Sequence, residues 1–585
     1  MTGKIPSRET FKLPEGIDGK NFSNPEINPA KRGFSIRYKN KTLLSTIDPI
    51  AYAEKTAHAS VKSDRTLYFC PSPLFGYGLD VLISHISQDS AILCVEADDI
   101  LFYLSVSSID KRLLNHPCFA LTGLKDGMDV CRFVREKWGP RAFRRVEAIK
   151  LSGGWQLNNS TYETIETLLC DAIAVDWGNA MTLIKLGRRY IRNTIRNLPL
   201  LINAKHLHEL SFGSKPVLVL GAGPSLDLLL DRLKESSCFK VNNNEKTIKP
   251  FVLVCVDSCL PLLKERNIIP DLAVVLESQI WNLGDFIGSK NNGISAAVDL
   301  ASYFETSELL GGSVYFFFTP WTPLRIFNRL KDQGILLPSL PPLGSVSLSA
   351  VELAKRLGSG PVFTGGIDFS YTLDSLHARS SPSHQSLLLT QNRFTSRFNA
   401  ESVFRPGVFN TISKQKNSVR SDPAMRNYRN LFEHEFSGSR IMDISGNGLY
   451  LGIETLSIDE AIKVLMNNNE QTLDQESMLN KKNQIMEFNK DTILNFIKQE
   501  KAMLEKLLVF LTNSSEQEKI EKKEFDTMLN DLDYLWAHFP DCAGSEGKRP
   551  PANDLFFLKR VRAEIDPFIK LWELAKKLVE DNIAL

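Results

Sequence analysis

The sequence predicts an α/β protein with a doubly wound, Rossmann-like central domain, a smaller N-terminal α/β domain and a helical C-terminal domain. Two observations predict this. Between residues 215 and 365, short apolar runs alternate with helical patterns, as in a parallel sheet covered by helices on both faces. From about residue 456, apolar residues recur at helical spacing among many charges, which indicates amphipathic helices.

Length and charge limit the class of protein. A chain of 585 residues is too long for one hydrophobic core, so two to four domains are expected. The formal net charge of +2 gives no general attraction to nucleic acid. The first residues, MTGKIPSRETFKLPEG, contain no apolar signal segment, and no uninterrupted apolar run is long enough to span a membrane. We therefore expect a cytoplasmic protein with no membrane span.

The cysteines do not indicate a metal site or a disulfide framework. All nine are scattered singly and no CxxC pair occurs, so neither a zinc site nor a disulfide-stapled fold is expected. Buried free thiols in a reducing compartment are the simpler interpretation.

Changes of pattern place the domain boundaries. Residues 1–65 are polar, with β-like alternation near GFSIRYKNKTLL, and form an arm or small β-element. Residues 66–160 begin with the strand TLYFC, a Gly-containing turn, the helix LDVLISHISQ and the strand AILCVEAD, which make a βαβ unit. The central domain is expected over 161–455, and the helical domain over 456–585.

A row of arginines precedes the central strands. Arg188, Arg189, Arg192 and Arg196 are three or four residues apart in a helical segment, so they can share one face. This face is either a solvated helix surface or a site for an anionic ligand or an acidic partner, and the sequence leaves both open.

The Gly-rich segment after the strand KPVLVL is the first candidate site. Gly221 and Gly223 allow close backbone approach to a phosphate, and the helix that follows presents N–H groups and a positive dipole end. Ser225 can cap that helix or donate to a phosphate oxygen. Pro224 departs from the dinucleotide pattern GxGxxG, and the Walker lysine is absent. A purely structural turn remains an alternative.

Carboxylates follow the next two strands. Asp257 ends FVLVCV and Glu277 follows LAVVL, so both are expected at the carboxyl edge of the sheet, where open α/β sheets bind ligands. There they can contact a sugar nucleotide or a metal ion, although Asp257 can also simply cap a helix. Asp271 precedes its strand and is expected to be structural.

Two later segments add polar groups to the same edge. Ser345 and Ser347 open the helix SLSAVELAKRLG as N-cap candidates. Asp368 and Tyr371 follow the strand GPVFTG, and His377 comes shortly after them. A histidine beside these groups can act as a proton shuttle, but it can equally be structural or solvated.

Taken in order, five segments resemble the motility-associated factor family. They are VLVLGAGPSLD, VCVDSCLPLLKERNIIPDLAVVLES, LGSVSLSAVELAKRLGSGPVFTGGIDFSYTLDSLHA, VRSDPAMRNYRNLFEHE and MDISGNGLYLGIETL. The resemblance covers about 170–460 well and the N-terminal region more loosely. It implies a flagellin glycosyltransferase that uses a CMP-activated nonulosonic acid, such as pseudaminic acid, as its sugar-nucleotide donor. The acceptor would be Ser or Thr hydroxyls of flagellin, and the role would be in flagellar assembly and motility.

The resemblance also assigns roles to residues. In the related bacterial sialyltransferases a Gly-x-Gly-Pro-Ser-Leu turn cradles the CMP phosphate, which implies that role for the turn from Gly221 to Leu226. From the motifs and the resemblance together, the donor-binding candidates are Gly221, Gly223, Pro224, Ser225, Leu226, Asp257, Glu277, Ser278, Ser345, Ser347, Gly365 and Gly366. The catalytic candidates are His377, Asp368 and Tyr371.

Two features leave alternatives open. The family often has Asp where Glu277 stands, which leaves a divalent metal undecided. The central domain also resembles a diphosphokinase family that transfers diphosphate from ATP to 6-hydroxymethyl-dihydropterin, and that activity needs Mg²⁺ and aspartates where this chain has Glu277, Ser278 and Gln279. A third hypothesis is that the chain is a non-catalytic scaffold for flagellar assembly.

Overall fold

The computed structural model describes residues 24–581 except 61–63, 140, 237, 242–246, 321, 323, 336, 374, 395–403, 405, 445, 467–487, 513–518 and 544–548. The chain forms two compact units, Met1–Lys185 with Ala537–Pro550, and Leu186–Trp536 with Pro551–Leu585. The first unit contains both predicted N-terminal domains. The second contains the central sheet together with most of the segment predicted as a separate helical domain.

The first unit contains two sheets. Strands β1 (Glu26–Pro29), β2 (Phe34–Tyr38) and β3 (Lys41–Thr42) form an antiparallel sheet. Strands β4 (Thr66–Pro71), β5 (Ala91–Val95), β6 (Phe119–Thr122) and β7 (Arg145–Ala148) form a parallel sheet in the order β6-β5-β4-β7. The helices that connect the strands of this unit are α1 (Pro49–Ser60), α2 (Leu79–His85), α3 (Asp99–Ser108), α4 (Lys111–Leu114) and α5 (Gly127–Trp138). The predicted βαβ unit is confirmed.

The second unit is built on an eight-stranded parallel sheet. Its strands are β8 (Val217–Leu220), β11 (Val252–Val256), β12 (Leu272–Val275), β13 (Ile294–Asp299), β14 (Gly311–Phe317), β15 (Val362–Gly365), β18 (Ile441–Ile444) and β19 (Glu454–Leu456). Two small antiparallel pairs accompany it, β9 (Lys240–Val241) with β10 (Thr247–Ile248) and β16 (Phe409–Ile412) with β17 (Ser418–Ser421). The predicted doubly wound α/β fold is confirmed.

The remaining helices, in chain order, are α6 (Asn159–Asn197), α7 (Leu226–Glu235), α8 (Leu260–Glu265), α9 (Arg325–Asp332), α10 (Val346–Leu357), α11 (Pro382–Thr390), α12 (Pro423–Phe436), α13 (Ile458–Met466), α14 (Lys490–Thr512), α15 (Lys519–Asp531), α16 (Pro540–Ala543) and α17 (Leu555–Asp581). Short 3-10 turns occur at Gly154–Leu157, Pro199–Asn203, Leu207–Glu209, Asp257–Cys259, Ile280–Phe286, Phe304–Thr306 and Asp533–Leu535. The unit boundary at Lys185 lies inside α6.

The order of the strands creates a crevice at the middle of the large sheet. The order is β14-β13-β12-β11-β8-β15-β18-β19, so the chain runs outward from β8 on one side and then returns to continue from β15 on the other. Between β8 and β15 the winding therefore reverses. Loops that leave the carboxyl ends of strands at such a switch point diverge, and ligands of open α/β sheets bind between them.

Continuous apolar strands explain why this sheet is buried on both faces. Every residue of β8 is fully buried, and the apolar runs of β11 and β12 are buried almost throughout. Helix α10 packs against the central strands through buried Leu348, Val351 and Leu353. Such runs are typical of parallel sheets with helices on both sides.

A buried ion pair attaches the C-terminal helices to the sheet domain. Arg329 of α9 donates to both carboxylate oxygens of Glu500 in α14, at 2.6 and 3.0 Å, and the hydroxyl of Tyr534 lies 3.4 Å from the same carboxylate. Removing one partner of a buried pair leaves an uncompensated charge and costs about 3–5 kcal/mol. The pair is one contact between the C-terminal helices and the sheet domain within this unit.

The cysteines and the helices have the properties expected from the sequence. All nine cysteines are free thiols, and seven of them are buried. Within the part of the chain that the structure describes, no helix combines the length and the apolar character needed to cross a membrane.

Candidate active site at the switch point of the large sheet

Two Gly-containing loops lie side by side at the switch point. The backbone N–H of Gly221 donates to the carbonyl of Gly365 at 2.8 Å, and that of Gly223 donates to the carbonyl of Gly366 at 2.8 Å. The loop after β8 is thereby joined to the loop after β15. The sequence predicts the two loops separately, and the structure brings them together.

Gly223 has no room for a side chain. A Cβ there would lie 2.5 Å from Oδ2 of Asp368 and 2.6 Å from the carbonyl oxygen of Gly366. Gly448, from the segment after β18, is equally restricted, since its Cβ would lie 2.6 Å from Cα of Asp368. These glycines are therefore required by the approach of three backbone segments to one carboxylate.

That carboxylate, Asp368, binds Ser225 twice. Its Oδ2 accepts the backbone N–H of Ser225 at 2.8 Å and its Oδ1 accepts the Ser225 hydroxyl at 2.5 Å. Burial raises the pKa of Asp368, while the two bonds from Ser225 and the charge of Lys414 oppose that rise. Both oxygens are occupied, so Asp368 is suited to position the turn rather than to accept a substrate proton.

This bond also corrects the expected cap. Ser225 does stand at the N-cap of α7, but its side chain makes no hydrogen bond to the helix, because the hydroxyl is bonded to Asp368. Of the turn's own N–H groups, that of Ala222 donates to no group in the described residues, whereas those of Gly221, Gly223, Ser225 and Leu226 are bonded within the protein. The groups of this turn that can bind an anion are therefore the backbone N–H of Ala222 and the positive dipole end of α7.

A buried lysine lies on the other side of Asp368. Lys414, in the turn between β16 and β17, forms an ion pair with Asp443 of β18, and both side chains are almost fully buried. Thr364 of β15 donates to the same carboxylate at 3.2 Å. Burial raises the pKa of Asp443 to about 6, and Lys414 opposes the rise. This pair was not predicted from the sequence, where the only signal for it is a carboxylate inside the apolar strand IMDI.

Asp257 and Glu277 lie at the expected carboxyl edge, on adjacent parallel strands. Asp257 is buried and accepts the side-chain amide of Asn282 at 2.9 Å, and the same amide donates to Asp285 at 2.9 Å. Burial raises the pKa of Asp257 to about 6, and the charge of Glu277 adds to the rise. Burial, with the charges of Asp257 and Glu277, raises the pKa of Asp285 to about 7.

Glu277 itself is exposed, and its carboxylate accepts the backbone N–H of Gln279 at 2.9 Å. The neighbouring Ser278 is buried, and its carbonyl accepts the side-chain amide of Asn193 at 2.9 Å. In the described part of the chain, no group of three or more His, Cys, Asp or Glu side chains is arranged to hold a metal ion.

Ser345 and Ser347 stand at the start of α10, as predicted. Ser345 occupies the N-cap position without a side-chain cap bond. The preceding Gly344 has a φ of +71° and abuts the ring of Tyr428, 3.0 Å from where a Cβ would be. The Tyr428 ring in turn lies 6.3 Å from that of Phe369, the residue after Asp368. The start of α10 is therefore close to the loop after β15.

His377 lies beside the turn formed by residues 221–226, which we call the Gly turn. The N–H of the next residue, Ala378, donates to the carbonyl of Ala222 at 3.0 Å. Burial and the nearby His384 lower the pKa of His377, and Nδ1 of each of these histidines has no hydrogen-bond partner among the described residues. His377 is consequently neutral at pH 7 and able to accept a proton. His384 was not predicted from the sequence as a site residue.

Tyr371, a catalytic candidate of the sequence analysis, lies in the loop after β15. Its side chain is almost fully buried, and its backbone pairs in both directions with Arg420 of β17, each bond 2.9 Å long. Tyr371 therefore anchors the β16–β17 pair to the loop after β15.

Known proteins resemble this chain in sequence or in structure. Residues 192–374 match the family model described as 6-hydroxymethylpterin diphosphokinase MptE-like. An uncharacterized protein of Treponema pallidum (strain Nichols) is 28% identical over 570 residues, which are 94% of this chain and 95% of that protein. The solved structure of a Maf glycosyltransferase from Magnetospirillum magneticum AMB-1 superposes with a TM-score of 0.53 at 12% identity, over 96% of this chain and 93% of that one. The resemblances predicted from the sequence are confirmed at the level of fold.

Proposed function

We propose that this chain is a cytoplasmic glycosyltransferase that moves a nonulosonic acid from a CMP-activated donor to Ser or Thr hydroxyls of flagellin. The observation that carries the proposal is the junction of the loops after β8 and β15, with Ser225 held by Asp368 at the switch point. The shared fold with a Maf glycosyltransferase supports it. The donor and the acceptor follow from the family resemblance of the five sequence segments.

The leaving group in this reaction is CMP, whose phosphate gains negative charge as the glycosidic bond breaks. The N–H of Ala222 and the start of α7 are available beside the Gly turn, and the start of α10 with Ser345 and Ser347 is a second anion-attracting helix end. Oriented N–H groups and helix dipoles stabilise such developing charge. Binding of the CMP phosphate is assigned to these groups.

Removal of the proton from the acceptor hydroxyl is assigned to His377. As the acceptor oxygen bonds to the anomeric carbon, the bond from that carbon to the CMP phosphate oxygen breaks, and the imidazole takes the proton. A neutral histidine next to the Gly turn suits this task. General base catalysis contributes on the order of 10²–10⁴-fold.

Asp368 and Lys414 are assigned positioning roles. Asp368 fixes the turn through Ser225, and Lys414 holds the β16–β17 turn against Asp443 at the same crevice. Fixed dipoles act on a transition state without reorganisation, so loosening either contact is expected to reduce catalysis without removing a reacting group.

The MptE-like match favours a second candidate, diphosphate transfer from ATP to 6-hydroxymethyl-dihydropterin. In this reading Asp257, Asp285 and Glu277 would face Mg²⁺–ATP. The carboxylate of Glu277 bonds to its own loop through Gln279, which makes it a weaker candidate for that role. A non-catalytic assembly scaffold is the third reading.

A transfer assay distinguishes these functions. Purified protein is incubated with CMP-pseudaminic acid and unmodified flagellin, and flagellin is examined by intact-mass spectrometry. The proposal predicts a mass increase of whole sugar units with equimolar release of CMP, both lost in His377→Gln. Diphosphorylation of the pterin with Mg²⁺–ATP would establish the second candidate instead, and inactivity in both assays would favour the scaffold.

A further inference from the structure

A second concave site lies between the C-terminal part of α6 and helix α17. It encloses about 260 Å³. Its lining consists of four cationic side chains, Arg188, Arg192, Arg196 and Lys570, and four apolar ones, Pro567, Phe568, Leu571 and Leu574. We call it the basic groove.

The arginines form a regular row. They are four residues apart on α6, so with a rise of about 1.5 Å per residue the row extends over about 12 Å. Arg188 is paired with Glu564 at 2.9 Å. In the described part of the chain Arg192, Arg196 and Lys570 have no ion-pair partner, so the groove has an excess of positive charge. Of the four predicted face residues, Arg189 does not line the groove.

The row is held rigidly. The neighbouring face of α6 is fixed to the large sheet, since Asn193 donates to the carbonyls of Ser278 and Ala301, and Asn197 to those of Leu300 and Ser302, at 2.8–3.0 Å. The guanidinium of Arg196 stacks 4.2 Å from the centroid of Phe304. Its Nε is buried and has no hydrogen-bond partner among the described residues.

The lining chemistry selects the ligand. No hydroxyl, amide or acidic side chain lines the groove, so all of its polar side chains are cationic hydrogen-bond donors, which favour an anionic ligand. Guanidinium groups bind carboxylates in a fork geometry, and the apolar residues accept a bulky apolar side chain.

We propose that the basic groove docks a segment of a partner protein in which Asp or Glu residues flank a bulky apolar side chain. The carboxylates pair with Arg192, Arg196 and Lys570, and the apolar side chain covers Leu571 and the 39%-exposed Leu574. Arginine beside apolar residues, with a desolvated centre, is typical of the residues that dominate protein–protein binding. The proposal goes beyond the reaction at the sheet edge and does not depend on it.

The test uses fluorescence anisotropy with a labelled helical peptide that carries Glu every fourth residue and Leu and Phe beside them. A second peptide has Lys in place of every Glu. The full-length protein should bind the acidic peptide and not the basic one, and a rise in salt should weaken binding because the contacts are ionic.

Variants locate the binding. Arg192→Glu and Lys570→Glu, both at exposed positions, should each weaken binding at least tenfold. Leu574→Gln should weaken binding severalfold, and by a similar factor at low and at high salt, because the contact it removes is apolar. Arg189→Glu is the matched control on the same helix and should leave binding within twofold of wild type. Absence of acidic-peptide binding, an equal loss in Arg189→Glu, or Arg192-dependent binding to phosphatidylserine vesicles in place of the peptide would overturn the proposal.

Discussion

Asp368 and Ser225 are 143 residues apart in the chain, yet the carboxylate of one accepts both the backbone N–H and the hydroxyl of the other. This contact joins the loop after β8 to the loop after β15. Among the described strands of the large sheet, the order in which the chain adds strands changes direction only between these two. The geometry of the candidate site depends on it.

Ser225→Ala is therefore expected to weaken CMP binding while the fold is retained. A hydrogen bond to a charged group contributes about 1.5–3 kcal/mol, so the free energy of unfolding should fall by about that amount. Calorimetry with CMP and urea unfolding measure the two effects. Asp368→Asn should show the same pair of losses, because the two Ser225 donors bond to different oxygens of Asp368 and one of these becomes an NH₂ group, which cannot accept. Unchanged CMP affinity in Ser225→Ala would remove Ser225 from the site.

Gly223→Ala is expected to destabilise the second unit. The new methyl group would press on Asp368 and on the carbonyl of Gly366, and overpacking of this kind costs about 1–3 kcal/mol. Gly284→Ala is the matched control in the same unit, since the nearest atom to its Cβ would be 3.9 Å away, at Pro382. Thermal unfolding of both variants measures the difference. Equal melting temperatures would contradict the close approach.

His377→Gln is expected to lower the turnover number by about 10²–10⁴-fold with little change in donor affinity. Because the pKa of His377 lies below its ordinary value of 6.5, the wild-type rate should stay constant from pH 8 down through 6.5 and fall only at lower pH. His434→Gln, at a 61%-exposed position, is the control. A wild-type rate that already halves at pH 6.5 or above would argue against His377 as the base.

Asp285→Asn is expected to flatten the dependence of stability on pH. The native state raises the pKa of Asp285 from 3.8 to about 7, so it binds the proton more tightly than the unfolded chain does. Stability is then greatest at low pH and decreases as pH rises from about 4 to about 7, with a slope of at most about 1.4 kcal/mol per pH unit for one proton.

Chemical unfolding at pH 5, 6, 7 and 8 measures that slope. The wild type should lose more stability across this range than Asp285→Asn. Asp459→Asn changes a 65%-exposed carboxylate and serves as the control that keeps the wild-type slope. Parallel profiles for wild type and Asp285→Asn would show that the carboxyl group is not buried as described.

Six of the eight strands of the large sheet could be predicted because each is a local apolar run, and the Gly turn because its residues are contiguous. Strands β18 (IMDI) and β19 (ETL) were not predicted, since the first contains a carboxylate and the second is largely polar. The order of the strands is set by packing between distant segments, so the contact between Gly223 and Asp368 could not be predicted from the sequence. Ser225 was expected either to cap α7 or to donate to a phosphate oxygen; its side chain makes no cap bond, and its hydroxyl donates to Asp368 in the loop after β15.

Lys414 and Asp443 illustrate the same limit. Residues 375–440 are rich in Ser, Arg, His and Asn, which is typical of loops, and nothing local indicates that the β16–β17 turn carries a buried lysine to the sheet. The arginine row of α6 was predicted as a shared face, and three of its four members do share the basic groove. Its facing surface, α17, is almost 400 residues away, so the groove itself could not be foreseen.

Nucleotide selectivity tests the central claim most directly. Isothermal titration calorimetry and thermal shift are run with CMP, UDP, GDP and ATP, each with and without Mg²⁺. We expect selective stabilisation by CMP, by about 2.7 kcal/mol at a concentration 100 times its Kd, and a loss of that effect in Ser225→Ala. Preference for ATP with Mg²⁺ would contradict the glycosyltransferase and favour the diphosphokinase, and binding of none of the four would favour the scaffold.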